Sequence, residues 1–543
     1  MNSFDQFIKD SARSYLQNVV YIDDKIYLPS SNDMDSVDDV PPLRDPFASE
    51  KDASNEAISV MAGEDELVSS NADDPESKYA HPKQLMESFA DMGIVCALYE
   101  PAKDAAVDKS STIFKICQRA DIVVLDWDLS GDNGAKVSEL IVNLIEQSDE
   151  VQPHHVRLCA IYTNQPNLES TAQALFANLL SAKCKETKYE LDKLQLVSGA
   201  TRISILGKPD VPGRLEHIRK KFVVNERQLA KRLLDDFSEM HRGLLSGFAL
   251  HGLASIRKNT KRLLDKFTSD LDGAFLLHRA LVKSDREALE ELPELLAGEL
   301  SAILEDDLLS GIDYESVTNQ VIDTLPLTRP DDGEDFCEAD IRRHLKDGEV
   351  PQKKYKTLER YSVMVGSTGH SSSEKLSLLF NNRTQYLPVP PRLKFGTVVK
   401  HRINATDDSW DYSICLMPIC DSRNRTQPIS SMTFPFWRLN LVLKSDNLAA
   451  FVVEDSHSTI RLSVGGKIRD KLWLSNVKLD DGWAKSTPEE LRFEDIEQIN
   501  EIYWVAQLKP LHAQRIALHV GSEASRVGLT ESEWLRLVLK RSP

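Results

Sequence analysis

Between residues 17 and 210, short apolar runs alternate with segments whose apolar residues recur at three and four, and few folds satisfy that alternation. The runs are QNVVYIDD (17–24), IVCALYEP (94–101), ADIVVLDWDL (120–129), VRLCAIYTN (156–164) and TRISILGKPD (201–210). Most of them are apolar without a period of two, as expected of strands buried on both faces of a parallel sheet. The intervening segments HPKQLMESFADMG, STIFKICQRA, AKVSELIVNLIEQS and LESTAQALFANLLSAK have helical spacing, the first closed by Gly93. Five strands separated by helices predict an α/β doubly wound, five-stranded parallel sheet.

The pattern changes elsewhere. Residues from about 29 to 79 are rich in Asp, Glu, Ser, Asn and Pro with few large apolar side chains, which reads as an acidic insertion. From 213 to 310 long amphipathic stretches such as RQLAKRLLDDFSEMHRGLL predict a helical region or bundle. From about 390 the runs LKFGTVVKHR, YSICLMPIC, FWRLNLVLK, LAAFVVED and TIRLSVGG read as strands, and the last forty residues return to helix. The expected division is a domain over 1–225 carrying the insertion, a helical domain over 226–315, a linker and mixed segment over 316–389, and a β-rich α+β domain over 390–543.

With 543 residues, 41% of them hydrophobic, the chain has enough material for several cores. Its formal net charge of -19 argues against a nucleic-acid partner. The first residues lack the apolar stretch of a secretory signal and no run is long enough to span a bilayer, so a cytoplasmic protein without a membrane partner is expected. The seven cysteines form no CxxC pair and are expected to be reduced.

Four polar groups fall at the C-terminal ends of four expected strands: Asp23-Asp24, Asp126, Thr163 and Lys208-Pro209. Parallel strands bring such ends to one edge, where open α/β sheets bind ligands. Three carboxylates gathered there repel one another unless a cation is present, which points to a hard, oxygen-liganded ion such as Mg²⁺. Asp126 is then a candidate carboxylate nucleophile for a phosphoryl group, Lys208 a partner for the transferred oxygens, and Thr163 a hydrogen-bonding group for the product.

This ordered set resembles the receiver domain of response regulators, over about residues 15–225. In that family an acidic pair ends the first strand, the phosphoacceptor Asp the third, Thr or Ser the fourth and Lys-Pro the fifth. The resemblance implies Asp126 as phosphoacceptor, Asp23, Asp24, Asp126 and the backbone carbonyl of Asp128 as metal ligands, and a sensor histidine kinase as donor. Three features depart from the family pattern: the acidic insertion after the first strand, Asn164 where a small residue is common, and Ile205 where an aromatic switch residue often lies. The DWD sequence at Asp126–Asp128 also resembles the nucleophile motif of haloacid-dehalogenase-type phosphatases, but the acidic pair here lies upstream on the first strand.

Other candidates have plainer explanations. His251 sits in a helical stretch without kinase-type flanking residues or an ATP-binding glycine box, and a lone helical His is commonly a packing residue. Cys415 and Cys420 with Asp421 fit alternating strand residues and buried thiols better than a thiol site, and His512 and Arg515 are expected to be structural. The overall plan is similar to large, non-transcriptional receiver proteins of bacterial anti-phage phosphorelays of the Detocs type, through QRIALHVGSEASRVGLTESEWLRL and LMPICDSRN. That resemblance implies a regulator acting by protein–protein contact, as a phosphate sink or restraint on a second receiver-containing effector. The alternative is a receiver-controlled enzyme with its activity in residues 330–543.

Overall fold

The structure, a computed structural model, describes residues 3–26, 82–151, 156–182, 184, 186–281, 285–309, 312–329, 337–348, 364–365, 370–386, 389–403, 409–418, 421, 430–443, 449–466 and 468–524. The acidic stretch at about 29–79, Cys420 and the chain after 524 lie outside the described residues. The chain divides into two compact units, Met1–Asp265 with Glu299–Val317, and Lys266–Gly298 with Thr318–Pro543.

The first unit is built on strands β1 (Asn18–Ile22), β2 (Val95–Tyr99), β3 (Ile122–Leu125), β4 (Arg157–Thr163), β5 (Lys188–Glu190), β6 (Gln195–Ser198) and β7 (Thr201–Gly207). They form one sheet in the order β2-β1-β3-β4-β7-β6-β5. The five expected strands pair in parallel. Successive side chains of a strand point to opposite faces, so each strand feeds two cores. Val20 and Ile22 join Phe114, Leu140, Ile141 and Leu175 from α3 (Thr112–Arg119), α4 (Ala135–Val151) and α5 (Leu168–Ser181). Val19 and Tyr21 join Ala12, Leu85, Phe89, Leu229, Leu233 and Phe237 from α1 (Ser3–Tyr15), α2 (Pro82–Ala90) and α7 (Glu226–Met240).

The structure adds to the expected five strands. After α5 the chain makes β5 and β6, which extend the sheet antiparallel beyond β7. The tight turn between β6 and β7 places Gly199 at φ 56, a left-handed conformation that glycine adopts without steric cost. Helix α1, which the sequence pattern did not reveal, buries Phe4, Phe7, Ile8 and Ala12. Helix α6 (Glu216–Phe222) follows β7, and helix α7, the first after residue 225, starts with Asn225 accepting a hydrogen bond from the Gln228 amide and completes the layer with α2. Helix α8 (Leu244–Lys266) follows; its Arg257 stacks on Tyr15 and pairs with Asp121 at 2.9 Å, before the start of β3.

In the second unit a six-stranded sheet runs β14-β10-β9-β8-β16-β15 and a three-stranded sheet β11-β13-β12. The strands are β8 (Thr397–Ile403), β9 (Asp411–Cys415), β10 (Ser431–Arg438), β11 (Asn440–Leu441), β12 (Phe451–Asp455), β13 (Ser458–Ser463), β14 (Leu472–Lys478), β15 (Arg492–Phe493) and β16 (Asn500–Gln507). Alternation again divides the core. Val398, Ile414 and Trp437 pack with Phe451, Val453 and Leu462 of the small sheet and with Ile516 and Val520 of the helix Pro510–Ala524. Val399, Cys415 and Phe436 pack on the opposite face with Leu393, Val477 and Phe493. The sequence pattern did not reveal β14, β15 or β16, the last of which runs into the terminal segment read as helix. No described helix is long and apolar enough to cross a membrane.

Candidate functional site

The parallel register brings the strand ends level: Ile22 lies opposite Leu125, Leu125 opposite Ile161, and Thr163 opposite Gly207. Each functional side chain therefore follows directly from a buried strand. Asp23 and Asp24 leave β1, Asp126 leaves β3, Thr163 closes β4 and Lys208 leaves β7. One carboxylate oxygen each from Asp23, Asp24 and Asp126 lies within 4.8 Å of the other two.

Lys208 joins this cluster, its Nζ 2.6 Å from Asp23 Oδ2 and 3.1 Å from Asp126 Oδ1. Asp23 also accepts from the Tyr21 hydroxyl at 3.0 Å and from the Lys25 amide at 2.9 Å. Asp126 is fixed at its own amide, which donates to Ile22 O, and its Oδ2 accepts from the Asp128 amide at 3.2 Å. Asp24 Oδ2 accepts from the Ser130 amide at 2.8 Å. The second Asp24 oxygen is buried with no hydrogen-bond partner among the described residues. A buried, unpartnered carboxylate oxygen is costly, and a cation at the cluster would satisfy it.

The electrostatics follow from crowding and burial. Burial pushes the Asp126 carboxyl up to about 6; Lys208 opposes that shift and Asp23 adds to it. Burial alone would lower the Lys208 ammonium, but Asp126 and Asp23 outweigh it and the group is raised. At the end of β2, burial together with Asp23 and Asp24 raises Glu100. The site thus holds three acids and one cation, and a divalent ion fits its donor set of hard carboxylate oxygens.

Thr163 is 1% exposed, with its Oγ1 accepting from the Gln165 amide at 3.2 Å. Asn164 is exposed, whereas Ile205 is sealed in the core formed with α3–α5 and has no freedom to turn outward. Asp128 is half-buried, and its side chain accepts from the Asn133 amide. Tyr21 and the Ser130 amide also donate to the acidic pair, and the buried Arg214 donates to the carbonyls of Thr163 and Lys208. None carried a sequence signal, because each acts through a loop or a same-face neighbour rather than a periodic position.

The other candidates lie apart. His251 Nδ1 is 3.2 Å from Ser11 Oγ and its Nε2 is 2.6 Å from Asp307 Oδ2, so it links α1, α8 and the end of helix Asp285–Leu309. Cys415 is fully buried in β9, and burial pushes its thiol up to about 12, which makes it a packing residue. His512 stands edge-on to Phe451 in the second unit.

Residues 15–213 match the protein family described as the response receiver domain. This part of the chain is a response-regulator receiver, the phosphoacceptor module of two-component signalling. The match ends before α7 and leaves the second unit undescribed. No curated protein and no solved structure matches the chain.

Proposed function

We propose that the chain is a phosphorelay regulator that accepts a phosphoryl group on Asp126 from a sensor histidine kinase and acts through protein–protein contact. The single observation that carries this reading is the convergence of Asp23, Asp24, Asp126 and Lys208 at one sheet edge, with Thr163 closing the adjacent strand. An Asp126 carboxylate oxygen attacks phosphorus; the P–N bond of a phosphohistidine, or the P–O bond of a small acyl phosphate, breaks, and its electron pair leaves with the donor. The product is an aspartyl phosphate. Lys208, already seated between Asp23 and Asp126, exchanges part of its contact for the arriving phosphoryl oxygens. Thr163 then offers its hydroxyl to the product.

Asp23, Asp24, Asp126 and the Asp128 carbonyl are the residues that would hold Mg²⁺. Its chemistry there would be to neutralise charge on the transferred oxygens. The acyl phosphate so formed is labile to hydroxylamine. In a transfer assay from a phosphorylated histidine kinase, hydroxylamine-sensitive label should appear on the wild type and be absent from Asp126→Asn; hydroxylamine-stable label would contradict the reading.

The wider role, restraint of a second receiver-containing effector in anti-phage defence, rests on the resemblance of the sequence to Detocs-type regulators. A second reading, a receiver-controlled enzyme, is favoured by a cleft of about 400 Å³ in the second unit. Lys400, Glu454, Asp455 and Glu490 face it beside Trp410 and Tyr503.

A further inference from the structure

Arg214 lies in the loop between β7 and helix Glu216–Phe222, six residues after Lys208, and is only 6% exposed. It forms no ion pair among the described residues. Instead its guanidinium donates to backbone carbonyls: Nη2 to Thr163 O at 2.9 Å and to Gln165 O at 2.8 Å, Nε to Gln165 O at 3.2 Å, and Nη1 to Lys208 O. A buried cation satisfied by carbonyls alone carries a desolvation cost that no neighbouring carboxylate offsets. What it obtains is a bridge between two chain segments.

The position of that bridge gives it meaning. The ladder between β4 and β7 ends at the pair Thr163–Gly207. Lys208 and Gln165 lie past that pair, where the Lys208 amide bond to Thr163 O at 2.9 Å is the last backbone link between the two segments. Arg214 continues the connection where the sheet stops, and the segments it ties carry Thr163 and Lys208. The local sequence GKPDVPGR suits the task. A Cβ on Gly207 would come within 2.5 Å of Arg214 Nη1, and Gly213, at φ +82, lets the loop fold back. Pro209 and Pro212 each fix a backbone angle between them. The planar, five-donor fork of arginine meets the carbonyls of Thr163, Gln165 and Lys208 in one fixed geometry, which the three-donor ammonium of lysine does not reproduce.

We propose that Arg214 is a positioning residue of the phosphoacceptor site, holding Thr163 and Lys208 where they meet the phosphoryl group. The proposal rests on the reading of Asp126 as phosphoacceptor. It predicts a split between two readouts, because the Asp23, Asp24 and Asp126 carboxylates come from β1 and β3 and the bridge reaches them only through Lys208, whose displacement slows transfer without weakening Mg²⁺ binding.

The test is the rate of phosphorylation by acetyl phosphate, followed by intact mass, with Mg²⁺ affinity measured in parallel on full-length wild type, Arg214→Met and Arg214→Lys. Arg214→Met is expected to lose between about 10- and 100-fold in rate while its Mg²⁺ affinity is at least that of the wild type. Arg214→Lys, which keeps the charge but not the fork, is expected to fall between them, and it decides the matter if Arg214→Met does not fold. Equal rates in wild type and a folded variant, or a parallel loss of Mg²⁺ affinity, would overturn the proposal and leave the site reading standing. A wild type that takes up no phosphoryl group would overturn both.

Discussion

Lys208 shows how one residue sets two properties in opposite directions. Its ammonium touches Asp23 and Asp126, the carboxylates that a divalent ion would also need. Replacing Lys208 with Met removes a competitor and should tighten Mg²⁺ binding, while slowing phosphoryl transfer because the transferred oxygens lose their cation. Without metal the same variant leaves buried acids uncompensated and should lose about 3–5 kcal/mol of stability. Denaturant unfolding with and without Mg²⁺ checks this, and a variant equally stable in both conditions would contradict it. In the second unit His401 is 1% exposed, with Nε2 2.8 Å from Ser413 Oγ and its ring against Trp473. Burial pushes it down to about 4; Asp411 opposes that shift and Arg438 adds to it. The unfolded chain therefore binds more protons than the folded one between pH 6.5 and about 4. Stability should fall through that window by on the order of 3 kcal/mol, and His401→Gln should flatten the profile.

At the scale of elements, what was legible in the sequence is what depends on periodicity. Parallel strands covered on both sides are continuously apolar, so β1, β3, β4 and β7 stood out, and the acids, Thr163 and Lys208 at their ends stood out with them. The β5–β6 extension did not, because KYE is three residues long, mostly polar, and sits at a sheet edge. Arg214 was hidden for a different reason: its role arises from the way Gly213 turns the loop back toward Gly207, a geometry without a repeating pattern. Helix α7 reads as one more amphipathic helix, yet Leu229, Leu233 and Phe237 close the receiver core against α2 and the sheet. Phe237→Ala should therefore destabilise the first unit by about 3–5 kcal/mol and leave the unfolding of the second unit unchanged. A loss confined to the second unit would show that α7 does not belong to the receiver.

For the whole molecule, two compact units with separate cores imply two unfolding transitions in calorimetry. Mg²⁺ should raise only the transition of the first unit, by about 2.7 kcal/mol at a concentration 100 times its Kd, and Asp24→Asn should weaken that shift. The acidic chain, with a net charge of -19, gains further negative charge on phosphorylation. That charge becomes a signal only where a partner binds the two forms with different affinity. That signal depends on Asp126 taking a phosphoryl group. The most direct measurement is the intact mass of wild type and Asp126→Asn after incubation with Mg²⁺ and acetyl phosphate. One phosphoryl adduct on the wild type, not formed when the metal is chelated before the phosphodonor is added and missing from the variant, is the predicted result; an adduct that persists in Asp126→Asn would contradict the account.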